Sequence, residues 1–263
     1  MKKLAAELFT IVFGVLIALG FDGWRQDREE LRVASEHLSD IAAELRNNLC
    51  TVERIVALQM PRKFDGLQTV LDFLNHPESE VADPAALLQA FVRSTSTARP
   101  WLVDNQYQAL QNSGNVRLLR KLAPELSLGS LYEGPDVLFA QEERIRGAYP
   151  MVVNQLIPAQ LQSGLSLLKS YANGAESPML VDNPDLDQAI EAIRERRLEL
   201  LALARSEAAV ATARWYALSR ASTDLRSTLE EMAPWDKATT SLDEELAECR
   251  TARTASAPAA KPN

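Results

Sequence analysis

The 263-residue chain carries 28 lysines and arginines against 36 aspartates and glutamates, a formal net charge of −8. That balance, with no basic stripe to neutralise phosphates, excludes a nucleic-acid binder. Hydrophobic residues make up 46% of the chain, enough for a core. Only 10 glycines stand among abundant Ala, Leu, Glu and Arg, a composition that favours helix.

Residues 4–21 form one apolar run, broken only by Glu7. As a helix the run spans about 27 Å, close to the ~30 Å hydrocarbon layer of a bilayer. Lys2 and Lys3 precede it and Trp24 follows it, residues suited to the two membrane interfaces. Glu7 lies near the start, within reach of the headgroups. The run reads as a single membrane anchor over residues 1–24. A cleaved signal peptide, with Ala18-Leu19-Gly20 at its end, and a buried core helix are the alternatives. Glu7, Thr10, Gly14 and Ala18 share one helical face, and the Gly14–Ala18 pair would let a second helix approach closely. The positive-inside count is nearly balanced, because Arg25, Arg28 and Arg32 follow the run. A short N-tail before a long C-terminal domain favours the N-inside arrangement.

Residues 27–60 read as one long helix. Leu31, Ala34, Leu38, Ile41, Leu45, Val52 and Ile55 form a heptad-like apolar seam, interrupted by Asn48. Such an asparagine either fixes register or faces water. Pro61 is expected to end this helix. A helix over 63–74 follows, then a loop from His76-Pro77 to Pro84, with Asp83 capping the next short helix. Asp104 is expected to cap a helix carrying Tyr107 and Leu110. Ser113-Gly114-Asn115 then makes a tight helix–helix corner: Gly114 closes one helix in the left-handed conformation, and Asn115 accepts from the first amides of the next. Tyr107 and Leu110 should pack inward.

Two patches carry a resemblance. Glu7-x6-Gly14-x-Leu16-Ile17-Ala18-Leu19-x4-Trp24 and Tyr107-x-x-Leu110-x-x-Ser113-Gly114-Asn115 resemble a bacterial family of single-pass membrane proteins of unknown function. The N-tail is shorter and less basic than in that family. The resemblance implies a bacterial envelope protein with a helical domain, and it brings no activity with it.

Helices continue to about residue 169, punctuated by Gly134-Pro135, Pro150 and Pro158. Residues 172–184 form a loop. A second long helix is expected over 185–232, with a stripe of Leu186, Ile190, Ile193, Leu200, Ala204, Ala208, Ala211, Trp215, Leu218, Leu225, Leu229 and Met232. Pro234 stops it. If this helix runs antiparallel to the first, Trp235 returns toward the membrane. A short charged helix follows Asp236, and the last residues have a disordered composition. The expected fold is all-α: a transmembrane helix (1–24) continuing into an antiparallel bundle (25–235) framed by two long helices, then a charged, largely disordered tail (236–263).

Chemistry is sparse. Cys50 and Cys249 cannot make a disulfide framework. They read as two unpaired thiols, with one bridge in an oxidising compartment as the alternative. His37 shares a face with Asp40 and Glu44, which reads as a solvated face rather than a metal site. Glu142-Glu143 and Glu230-Glu231 read likewise, and Arg194-Glu195-Arg196-Arg197 reads as salt-bridge decoration. No nucleophile elbow, phosphate loop, H-E-x-x-H or C-x-x-C occurs in the sequence. No enzyme activity, cofactor or metal is expected. The expected partners are the lipid bilayer and either a second copy or another membrane protein. The expected place is the bacterial inner membrane, with the C-terminal domain in the periplasm. The leading reading is an envelope interaction or scaffold module; the alternative is a periplasmic sensory or ligand-binding bundle acting through a partner.

Overall fold

In a computed structural model of the chain, a single helical path runs from Lys2 to Asn75. The structure describes residues 2–97, 100, 102–126, 128–132, 147–167 and 183–251, without the side chains of 2–12, 164, 166 and 167. Every described regular element is helical, so the fold is all-α. The helices are α1 (Lys2–Arg54), α2 (Met60–Asn75), α3 (Pro84–Ser94), α4 (Asn105–Asn112) and α5 (Val116–Leu122), then α6 (Tyr149–Leu156), α7 (Ala159–Leu167), α8 (Pro184–Glu195), α9 (Arg197–Glu231) and α10 (Leu242–Thr251). Residues 128–132 are also helical.

Pro61 does not end the first helix. A π-helical turn, Ile55–Gln59, joins α1 to α2, and Met60 N–H donates to Ile55 O, five residues back. The wider turn absorbs the missing proline donor and its ring, so the path continues. The second long helix is broken where the sequence predicts continuity: Arg196 (φ −99°, ψ 19°) separates α8 from α9. The alanine-rich stripe of α9 keeps a near-heptad spacing, with Leu200, Ala204, Ala211, Leu218, Leu225 and Leu229 buried. Trp215 lies off the stripe and is 37% exposed; its neighbour Arg214 takes the inward position.

Cross-helix hydrogen bonds fix the direction. Ser222 bonds Glu53, Glu207 bonds Lys63, and Arg197 bonds Leu74. One path ascends as the other descends, so the α1–α2 rod is antiparallel to α9. Helices α4, α5, α9 and α10 pack on α1, α3 and α9 pack on α2, and α7 and α8 close on α3. One core joins Leu38, Leu45, Leu49, Leu67, Leu88, Phe91, Leu110, Leu200 and Leu218. The loop before α3 follows the predicted pattern, with Asp83 Oδ1 accepting from Ala86 N at 2.9 Å.

The charged segment after 236 contributes to this unit over α10, whose Leu246 and Cys249 are buried; residues 252–263 lie outside the described residues, as do Gly134-Pro135, Glu142-Glu143 and most of 172–184. Asp236 pairs with Arg46. Residue 46 stands about 33 Å up the rod from Trp24, so Trp235 packs against the core and not at the foot of α1.

At the foot, α1 extends beyond the bundle. Burial begins near Ala34, whereas Phe13, Val15, Leu16, Ile17, Leu19, Phe21 and Trp24 are each 50–64% exposed. Among the described residues no helix is long and apolar enough to cross a membrane.

Candidate functional site

Three places bring functional side chains together. The first is the side of α1 that carries α4 and α5. Gly114 takes φ +72°, the left-handed conformation the corner requires. Ser113 N–H donates to Ala109 O, and Ser113 Oγ donates to Leu110 O at 2.9 Å. Leu110 is fully buried, and Tyr107 stacks on Tyr132 at 4.7 Å. Asn115, however, makes no side-chain cap on α5; its Nδ2 lies 3.4 Å from His37 Nε2. Asp104 does not cap α4 with its carboxylate either. The open amide of Gln106 donates instead to Glu44 Oε2 at 2.8 Å.

Glu44 is therefore no solvated acid. It is buried, and its other oxygen accepts from Tyr132 Oη at 2.8 Å. Burial, then the Glu44 carboxylate, pushes the Tyr132 phenol well above its ordinary range. One turn on, Asn48 is buried and clamps the Val103 backbone at both ends, donating to its carbonyl (2.7 Å) and accepting from its amide (2.8 Å). His37, Glu44 and Asn48 thus lie along one side of α1 and hold 103–132 in place. Among the described residues no group of three His, Cys, Asp or Glu could hold a metal ion.

Below this clamp, α5 lies against α1 with Asn115 near His37 and Lys121 near Asp27, so its C-terminal end points to the exposed foot. Lys121 Nζ is 3.1 Å from Asp27 and 3.6 Å from Glu30, and these acids raise its pKa. Trp24 carries the Arg28 guanidinium 4.3 Å over its ring. Gly14, Gly20 and Gly23 have open space around them.

The second place is the disulfide. Cys50 and Cys249 are bonded, with Cα atoms 5.5 Å apart across a sequence separation of 199, so the free-thiol reading is overturned. Ion pairs flank the bond. Arg46, 12% exposed, pairs with Asp236 and Glu245, and Arg250 pairs with Glu53 at 2.8 Å. Burial would raise the Glu53 pKa, but hydrogen bonds from Arg250 and Ser222 outweigh it and hold the carboxyl below its usual value.

The third place is the body of the bundle. Lys63 is 3% exposed; its ammonium donates to Glu207 (2.6 Å), Ser94 O (2.8 Å) and Ser96 O (2.9 Å). Ser94 Oγ in turn meets Tyr149 Oη at 2.7 Å. A cavity of about 10 Å³ beside Lys63 and Glu207 has room for no more than a water-sized occupant. A larger groove of about 580 Å³ lies between α2 and α3 under the 76–83 loop, edged by Asp65, Asp72, Glu80 and Arg93 and floored by Phe73 and Leu87. The arginine cluster is engaged within the fold: Arg194 with Glu191 and Ser79 O, Arg196 with Glu199, Arg197 with Leu74 O.

The polar clamps escaped sequence reasoning because Glu44, Asn48, Glu53 and Lys63 meet partners 31 to 197 positions away. The only signal was polar residues interrupting an apolar seam. No family model, curated protein or solved structure matches the chain.

Proposed function

We propose that this chain is a membrane-anchored envelope protein that acts as a helical interaction or scaffold module, rather than as an enzyme. Residues 1–24 span the bacterial inner membrane once, with the N-terminus inside and the bundle in the periplasm. The observation that carries this reading is the foot of α1, where seven large apolar side chains from Phe13 to Trp24 are each half exposed or more. A helix apolar on every side and free of the bundle has lipid as its natural surroundings. The Cys50–Cys249 bond supports the compartment, because such bonds persist where the surroundings are oxidising. Gly14 and Ala18, with open space at Gly14, supply a face for a second copy or another membrane helix. The resemblance to the single-pass envelope family supports the anchor and the helical domain alone; the orientation and the association face rest on the observations above.

A reporter fused after Asn263 tests the arrangement: a periplasm-active reporter should be active, and a cytoplasm-active one silent. The reverse result would overturn it. Gly14→Leu with Ala18→Leu should weaken association in a membrane two-hybrid assay, and unchanged association would remove that face.

A second reading, a periplasmic ligand-binding bundle that acts through a partner membrane protein, draws on the groove between α2 and α3. Its volume falls within the ~300–1,000 Å³ range of small-molecule sites. Substitution of Phe73 by a smaller residue should then abolish any ligand-induced thermal shift.

A further inference from the structure

We propose that α5 is a second membrane contact, which lays Arg117 and Arg120 on the anionic phospholipid headgroups beside the anchor. This rests on the membrane-anchored reading of α1. The geometry supplies the position. Asn115 stands beside His37 and Lys121 beside Asp27, so α5 descends along α1 toward its exposed foot. Asp27 is three residues from Trp24, about 4.5 Å along the axis. The end of α5 therefore comes within one helical turn of the residue that marks the interface.

The sequence of α5 supplies the chemistry. Leu118 and Leu119 are buried, whereas Arg117 and Arg120, three residues apart on one face, are exposed. Lys121 is held by Asp27 and Glu30, which fastens α5 to the rod and leaves the two arginines as its outward charges. Acids face this end too: Asp22 and Glu125 are exposed near it, while Glu29 is turned to Arg32. Arg25 and Arg28 on α1 offset them. Counted with Asp27, Glu30, Glu36, Arg32 and Lys121, six acids meet six bases, so this end is neutral in a chain whose net charge is −8, and an anionic surface repels it less than the rest of the body. Arginine forks suit lipid phosphates, where bidentate hydrogen bonds add to charge.

The test uses the full chain in phosphatidylcholine vesicles and in vesicles with an equal share of phosphatidylglycerol. Flotation reports the anchor, and hydrogen exchange at residues 116–122 reports the contact. Both vesicle types should float the protein. Exchange in α5 should be on the order of tenfold slower on the anionic vesicles, and the difference should vanish at high salt and in Arg117→Gln/Arg120→Gln. Arg120→Glu, a single exposed change, should make exchange faster on anionic than on neutral vesicles. Flotation without any lipid-charge effect on α5 would overturn this proposal and leave the anchor standing. A difference that survives in the double variant would also overturn it. Equal slowing by polyglutamate on neutral vesicles would assign the arginines to an acidic protein instead. Loss of flotation on both vesicles would remove the anchor, and this contact with it.

Discussion

Gly66 and Gly114 are required for opposite reasons. A Cβ on Gly66 would sit 2.9 Å from Ala90 O and 3.1 Å from Ser94 N, so the space between α2 and α3 forbids it. A Cβ on Gly114 would meet nothing, and there the φ of +72° is the obstacle. Gly66→Ala should therefore destabilise by about 1–3 kcal/mol through overpacking, despite a helix-propensity gain of ~1 kcal/mol. Gly114→Ala should lose about 1–2 kcal/mol to backbone strain alone. Urea unfolding of both variants, with the disulfide intact, separates these from a neutral surface change. Lys63→Met should be worse than either, about 3–5 kcal/mol, because it leaves the Glu207 carboxylate and the Ser94 carbonyl buried without their donor. At this scale the sequence was half legible. Asp83 and Gly114 announce themselves because a cap and a left-handed turn are local requirements. Glu44 and Asn48 do not, since whether a polar group on a helix faces water depends on what arrives from far along the chain.

Among the elements, α10 is held by little apolar packing and by several polar and covalent ties. Only Leu246 and Cys249 are buried in it. Ion pairs from Arg46, Glu53 and Arg226 and the covalent bond do the rest. Reduction, or Cys50→Ser, should lower stability by about 2–5 kcal/mol and release α10 first. Hydrogen exchange under reductant checks this: protection in 242–251 should fall before that of α2 and α3. Acid should act on the same element. Glu53 has a lowered pKa in the folded state, so its pairing stabilises the fold above the unfolded carboxylate value of ~4.3. That contribution is lost as pH falls from there through the lowered folded value. Glu53→Gln should flatten this part of an acid-unfolding curve. Element boundaries were legible where proline or aspartate caps a helix, as at Pro84. They were not at Pro61, where a π turn carries the chain past the proline, nor at Arg196, where no glycine or proline marks the break.

For the whole molecule, the division between foot and body is sharp. Burial starts near Ala34, so the described side chains of residues 1–24, from Phe13 onward, lie outside the core. Removal of residues 1–24 should leave the thermal midpoint of the bundle within a few degrees while abolishing membrane retention; a fractionation experiment with the truncated chain measures both. A large drop in midpoint would mean that the foot packs on the body. The all-α architecture and the antiparallel pairing of the long helices follow from periodicity and from the scarcity of breakers, features spread along the entire sequence.

The bond between Cys50 and Cys249 has a consequence beyond stability. It closes everything between Cys50 in α1 and Cys249 in α10 into a covalent ring. A protease that cuts once anywhere inside that ring produces a nick and no free fragment, because both pieces stay joined to the helix that bears the foot. Shedding the body from its tether would take a cut outside the ring, two cuts within it, or one cut together with reduction. On a denaturing gel the nicked protein should run near full length without reductant and as two bands with it.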